Sequence, residues 1–182
     1  MFDVKVDDDA RYVLRDWRRE TDADSLVRHA NDENVARYMR AGFPWPYTPE
    51  SARVFFDIVQ RDPEFSRAVV RVTADGAEEA IGAIGLKRGP LNDIDSHAAE
   101  IGYWLGRPYW RRGIITATIG AFMTHYIPAG VTRVFAVVAT DNVASSRALI
   151  ANGFEVEGVM KRYGYRFGRY YDATMLARIL ER

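Results

Sequence analysis

Residues 98–139 read AAEIGYWLGRPYWRRGIITATIGAFMTHYIPAGVTRVFAVVA, and the succession of patterns in this stretch decides the fold. Ala98 to Leu105 has the composition of a strand, and its Gly102 marks a bulge or a close backbone approach. Gly106 to Gly113 holds a proline and paired arginines between its terminal glycines and reads as a loop. Ile115, Ile119, Phe122, Met123 and Tyr126 then recur at helical spacing. Arg133 to Ala139 is almost wholly apolar, as expected of a strand buried on both faces. Strand, helix and strand in that order predict a parallel crossover, and right-handed is the hand such connections take.

Toward the N-terminus, Ala68–Val72 and Ala80–Leu86 read as strands joined at the hairpin signal Asp75-Gly76, and Gly89–Asp93 breaks the chain after them. Thr48-Pro49-Glu50 opens a helix with proline in its first turn, where a missing N–H costs nothing, and Val54, Phe55, Ile58 and Val59 give it an apolar stripe. Ala41 to Tyr47 packs prolines among aromatics and predicts an aromatic loop. Glu33 to Arg40 predicts a short helix, and Thr21, Asp22 and Asp24 start another that carries Leu26, Val27 and Ala30. Arg11 to Arg15 is patterned as a strand; residues 1–10, rich in aspartate, read as a solvated lead-in. Toward the C-terminus, Asn142 caps a helix that Asn152-Gly153 closes. Phe154–Met160 and Tyr170–Ile179 are two closing strands joined by an aromatic, basic hairpin. No repeat or linker interrupts residues 11–182, which predicts a single domain of the α/β class with a mixed sheet.

Composition narrows the chemistry. The 182 residues are 48% hydrophobic and 27% charged, an ordinary globular balance. Lys and Arg number 25 against 25 Asp and Glu, which argues against affinity won by neutralising phosphates along a nucleic acid. Without cysteine there is no disulfide framework, zinc–thiolate site or cysteine nucleophile, and His29, His97 and His125 are too scattered for a histidine metal site. The N-terminus has no signal-peptide pattern and no stretch is apolar enough to span a bilayer, so the expectation is a cytoplasmic protein with no membrane partner.

The loop is where chemistry concentrates. Arg111, Arg112 and Gly113 precede Ile114, Ile115 and Thr116 at the start of a helix. A helix N-terminus offers backbone N–H groups and partial positive charge, a glycine there lets an anion approach the backbone, and arginines neutralise it. The pattern fits a pyrophosphate cradle. It is not a P-loop, because no Gly-Lys-Ser/Thr follows.

This loop resembles the Gln/Arg-x-x-Gly-x-Gly/Ala motif of the GNAT superfamily of N-acetyltransferases, and is most similar to its RimJ/RimL-type, ribosomal-protein-alanine branch. The first strand and helix (Tyr12–Trp17, Asp22–Leu26), Ala99–Gly106, the Asn142–Arg147 segment with its Asn152-Gly153-Phe154 close, and Arg169–Asp172 resemble further elements of that branch in the same order. The chain departs from the branch at Arg111, where a glycine is usual, at Ile115, where Ala or Gly is usual, and at Ala117, where Glu is common.

The resemblance implies a GNAT-type acyl-CoA N-acyltransferase fold, with a central mixed, mostly antiparallel sheet flanked by helices. It also implies acetyl transfer from acetyl-CoA to a primary amine by direct attack on the thioester, without a metal. On it, Arg111, Arg112, Gly113, Ile114, Ile115 and Thr116 grip the pyrophosphate. The backbone of Tyr103, Trp104 and Leu105, with Asn142, holds the pantetheine arm. Glu100, between Ala99 and Ile101, is the candidate base, with His97 as its rival. Ser145 matches the serine that attends the leaving thiolate, and Asn142 is also a contact to a catalytic water. Phe43, Trp45 and Tyr47, with Tyr163 and Tyr165, would wall the acceptor site. The expected acceptor is the N-terminal α-amine of a protein. A small-molecule amine is the alternative, as is a non-catalytic acyl-CoA sensor; a homodimer stays open.

Overall fold

A computed structural model describes residues 1–6, 10–64, 66–90 and 93–181. Asp7, Asp8 and Asp9 of the expected lead-in, and Leu91 and Asn92 of the expected chain break, lie outside the described residues. The described strands are β1 (Phe2–Val4), β2 (Arg11–Arg15), β3 (Ser66–Val72), β4 (Glu78–Arg88), β5 (Ala98–Leu105), β6 (Arg133–Ala139), β7 (Glu155–Arg166) and β8 (Arg169–Ile179). The helices are α1 (Arg19–Ala30), α2 (Glu33–Ala36), α3 (Pro49–Arg61), α4 (Ile114–His125) and α5 (Val143–Ile150), with a 3₁₀ turn at Arg107–Tyr109. The strands form one mixed sheet in the order β1-β2-β3-β4-β5-β6-β8-β7. Pairing is antiparallel at β1–β2, β2–β3, β3–β4, β6–β8 and β7–β8. The β5–β6 pair is parallel, with Glu100 opposite Phe135, as the crossover reading requires.

Contacts divide the chain into two compact units, Met1–Gly85 with Tyr103–His125, and Leu86–Gly102 with Tyr126–Arg182. The core of the first unit gathers Val13, Leu26, Tyr47, Phe56, Val70 and Trp104. Its helices show why sequence signals need geometry. Thr48 and Ser51 form a reciprocal capping box on α3, with Pro49 in the first turn, as expected. The buried row, however, is Ala52 and Phe56, with Phe55 and Val59 partly covered, while Val54 and Ile58 are exposed. Positions 52, 55, 56 and 59 fall on one helical row and 54 and 58 on the next, so the expected stripe straddled two faces.

The start of α1 differs too. Its N-cap is Arg18, which has no side-chain cap. Asp22 is instead buried inside the helix, where both carboxylate oxygens accept from Arg15, at 2.8 Å each, and one accepts from the Arg18 amide. Residues 2–4, expected in a solvated lead-in, pair as β1 against β2. The helix expected over 33–40 is regular only to Ala36. Gly102 is exposed and nothing approaches the place its Cβ would take. The close approach belongs to Gly82 on β4, which lies against the backbone of Trp104 and Leu105.

In the second unit, β6 buries Val134, Ala136 and Val138 but leaves Phe135 and Val137 only partly covered, so it is not covered equally on both faces. Asn142 caps α5, accepting from the Ser145 amide. β7 and β8 form a long hairpin that turns between Arg166 and Arg169, so Tyr163 and Tyr165 lie within a strand.

Candidate active site

The candidate residues fall in both units. In the first, Tyr103, Trp104 and Leu105 end β5 and run directly into the arginine loop. The strand end is fixed on β4, where the Gly106 amide donates to the Ile81 carbonyl at 2.7 Å. The indole of Trp110 donates back to the Leu105 carbonyl at 2.6 Å. The chain then passes through Arg111, at φ 63°, and Gly113, at φ 75°, into α4. Two left-handed residues two positions apart turn the backbone sharply enough to bring the α4 N-terminus to the end of β5.

Arg111, Arg112 and Gly113 are exposed, and nothing lies within 4 Å of the place a Gly113 Cβ would take. The first bond of the helix runs from the Ala117 amide to the Gly113 carbonyl at 3.0 Å, so the amides of Ile114 and Ile115 have no acceptor within the helix. Open backbone, helix dipole and flanking guanidinium groups are the donor set a diphosphate needs, so the loop fits that group. Ile115 is half-buried while Ile114 is buried, so the bulky side chains turn partly inward from the loop surface.

The aromatic loop of the first unit divides by burial. Tyr47 is a core residue, and burial pushes its hydroxyl pKa well above the usual phenol range. Phe43 packs against it, ring centroids 5.1 Å apart, and meets the Trp104 ring edge-on at 5.9 Å. Trp45 is exposed. Phe43 and Tyr47 thus brace the strand end that carries Trp104.

Sequence reasoning missed the cluster beneath the loop. Glu79 on β4 accepts from the Tyr109 hydroxyl, His29 Nε2 and Arg28, each at 2.9 Å. Burial works to raise the Glu79 carboxyl pKa, but the bonds from His29 and Tyr109 outweigh it and leave the group below the usual carboxylate range. Burial raises the Tyr109 hydroxyl, and the bond to Glu79 adds to it. The signal was thin, since Glu78-Glu79 opens a strand like any polar strand end.

In the second unit, Glu100 is half-buried on β5. His97 precedes β5, is exposed, and accepts from the Thr132 and Arg133 amides through its carbonyl. Asn142 and Ser145 are joined by the α5 cap, with Asn142 Oδ1 3.3 Å from the Ser145 amide. Tyr163 and Tyr165 are exposed on β7, and Tyr165 packs against Tyr170 with centroids 4.9 Å apart. Beside them Asp172 accepts from Lys161 Nζ at 2.9 Å and from the Arg162 amide at 2.8 Å, which lowers its carboxyl pKa. Arg162 lies over the Tyr170 ring at 4.2 Å. No group of metal-ligating side chains occurs among the described residues, and no helix there is long and apolar enough to cross a membrane.

The sequence pattern of the acetyltransferase (GNAT) domain family matches residues 11–155. Ribosomal-protein-serine acetyltransferase of Escherichia coli (strain K12) is 36% identical over 106 residues, which are 57% of this chain and 57% of that protein. The match thus spans little more than half of that relative's length. The uncharacterized N-acetyltransferase p20 of Bacillus licheniformis is 29% identical over 177 residues, 92% of each chain. Among solved structures, a RimL ribosomal L7/L12 α-N-protein acetyltransferase in complex with coenzyme A matches with a TM-score of 0.74 at 25% identity, over 98% of both chains.

Proposed function

Because the chain belongs to the acetyltransferase (GNAT) domain family and is similar to ribosomal-protein acetyltransferases of the RimJ/RimL type, we propose that it is a cytoplasmic enzyme that moves the acetyl group of acetyl-CoA to the N-terminal α-amine of a protein. One observation carries the reading. The end of β5 runs through exposed Arg111 and Arg112 and an open Gly113 into the N-terminus of α4, a donor set built for a diphosphate. The backbone of Tyr103, Trp104 and Leu105 then offers strand-edge groups to the amides of the pantetheine arm.

Acetyl-CoA supplies an activated thioester. The neutral amine forms the new C–N bond as the C–S bond breaks, and the thiolate departs. An α-amine is largely protonated at neutral pH, so a base is required. Glu100 takes that proton, directly or through a water held by Asn142, and the second proton, which the nitrogen sheds as the amide forms, passes to the departing thiolate to give the free thiol of CoA. Ser145, held near the α5 N-terminus, donates a hydrogen bond to the departing thiolate. Tyr163 and Tyr165, exposed on β7, contact the acceptor. The hairpin carries Lys161, Arg162, Arg166 and Arg169; Lys161 and Arg169 are paired with Asp172 and Asp141, and the excess of positive charge that Arg162 and Arg166 add favours a peptide carrying carboxylates, or the phosphates of CoA, over a polycation.

The test is transfer of labelled acetyl from acetyl-CoA to a panel of N-terminal peptides and small amines. Acidic peptides should be the best acceptors. Preference for small amines would move the acceptor class, and cofactor binding without any transfer would make the chain an acyl-CoA sensor. Within the mechanism, Glu100→Gln should leave acetyl-CoA binding intact and lower kcat by about 10²–10⁴. That defect should shrink at high pH, where free amine is abundant. A wild-type pH–rate profile from Glu100→Gln removes Glu100 from the mechanism.

A further inference from the structure

The turn at Arg107–Tyr109 is held from below by a polar cluster remote in sequence. Glu79 is only 26% exposed at its side chain and accepts three hydrogen bonds, from Arg28 and His29 at the end of α1 and from the Tyr109 hydroxyl. A carboxylate only accepts, so His29 Nε2 carries the hydrogen in this arrangement. The His29 ring meets the Tyr109 ring edge-on at 5.4 Å, and a Cβ on Gly106 would come within 2.8 Å of His29 Nδ1. The turn is therefore seated on His29 with no room to spare. Tyr109 is 9% exposed, and the Arg112 guanidinium lies over its ring at 5.8 Å from the centroid. The ring that Glu79 holds by its hydroxyl is thus the ring that carries Arg112 on its face.

We propose that Glu79 is a positioning residue for phosphate binding: through Tyr109 it fixes the ring on which Arg112 rests, and so holds the loop ready for the diphosphate of CoA. This rests on the reading of the Arg111–Thr116 loop as the diphosphate site. A loop ordered before the ligand arrives spends less of the binding free energy on ordering. A guanidinium stacked on a fixed ring also keeps its planar donors aimed outward. Glu79 touches no ligand in this scheme, so its loss acts only on the part of the cofactor that the loop holds.

The experiment compares the dissociation constants of CoA and of pantetheine, which lacks the diphosphate and the 3′-phosphoadenosine, for the wild type, Tyr109→Phe and Glu79→Gln, with 4′-phosphopantetheine separating the phosphate's share from the nucleoside's. Calorimetry or displacement gives both constants without turnover, well below each variant's melting temperature. Wild type should bind CoA far more tightly than pantetheine. Tyr109→Phe removes one hydroxyl and should weaken CoA by about 10-fold, the scale of a hydrogen bond to a charged group, and pantetheine by less than about 2-fold. Glu79→Gln keeps an acceptor for the hydroxyl but not the charge, and should fall between. KM for acetyl-CoA should rise in step while kcat holds. Equal losses for CoA and pantetheine in both variants would reduce the cluster to general support of the fold and overturn the proposal, as would no loss for either. If wild type itself binds the two alike, the diphosphate reading of the loop fails and the proposal falls with it, an outcome visible before any variant is made.

Discussion

Arg111 holds a backbone conformation that its side chain disfavours. It sits at φ 63°, where a non-glycine residue costs about 1–2 kcal/mol. Glycine would remove that strain but loses roughly 0.5–1 kcal/mol through its freer unfolded chain. Arg111→Gly should therefore change stability by less than about 1 kcal/mol, in the stabilising direction, whereas Arg111→Val should lose more than about 1 kcal/mol. Denaturant midpoints for the two variants decide this. In return for that strain, Arg111 places a guanidinium on the exposed loop before α4. Arg111→Gly should accordingly weaken CoA, with a defect that narrows as salt rises. Asp22 makes a second case at this scale. It pairs with Arg15 at 2.8 Å with both side chains under 5% exposed. Asp22→Ala removes two of the guanidinium's bonds but leaves it Glu78 and the Asp16 carbonyl, each at 2.8 Å, so the loss should be about 1–3 kcal/mol, and replacing both Arg15 and Asp22 by apolar residues of similar volume should restore much of it.

Gly82 shows what an element can hide from its own sequence. It stands within β4 among Ile81, Ala83 and Ile84 and reads as any strand glycine. A Cβ there would collide with the Trp104 carbonyl oxygen, which is backbone and cannot rotate away. Gly82→Ala should thus push the end of β5 from its seat, lower stability by about 1–3 kcal/mol or more, and weaken CoA through Trp104 and Leu105. Melting curves and CoA titration of the one variant test both effects. Elements whose signals are local were legible: the Thr48 cap, the Asp75-Gly76 turn, the Asn142 cap and the β5–α4–β6 succession all depend on neighbours a few residues away. The loop and its arginines were legible for the same reason. What was not legible depends on partners far along the chain. Asp22 reads as a helix-start residue until Arg15 is seen beside it, Gly102 draws the attention Gly82 deserves, and the His29–Glu79–Tyr109 cluster joins residues up to 80 positions apart. The α3 stripe failed on register alone, because Val54 and Ile58 are as apolar as the residues that are buried.

For the whole molecule, the balance of 25 basic against 25 acidic side chains makes acid the more telling challenge. Protonating the carboxylates strips the balancing charge from every Lys and Arg, and self-repulsion then opposes the compact state. Folding also favours several ionised carboxylates directly. Glu50, Asp57, Asp75, Glu157 and Asp172 lie below their usual range, but Glu50, Asp75 and Glu157 are exposed, and Asp57 and Asp172 pair with exposed cations, so all five are screened. Glu79 differs in being held by three donors, of which Tyr109 and His29 are themselves buried. Its folded-state pKa is depressed, so its contribution is complete above the unfolded value of about 4.5 and is lost as pH falls through the folded value. Melting temperatures of wild type and Glu79→Gln measured from pH 7 to pH 3 should therefore converge. The variant should be less stable at pH 7, and the gap should close progressively below about pH 4.5, where wild-type Glu79 takes up its own proton. The surface carboxylates titrate in both proteins and cancel in the difference. A gap that stays constant to pH 3 would mean that the bonds to Tyr109 and His29 do not depend on the charge of Glu79. The cluster would then hold the loop by shape rather than by an ionised acceptor.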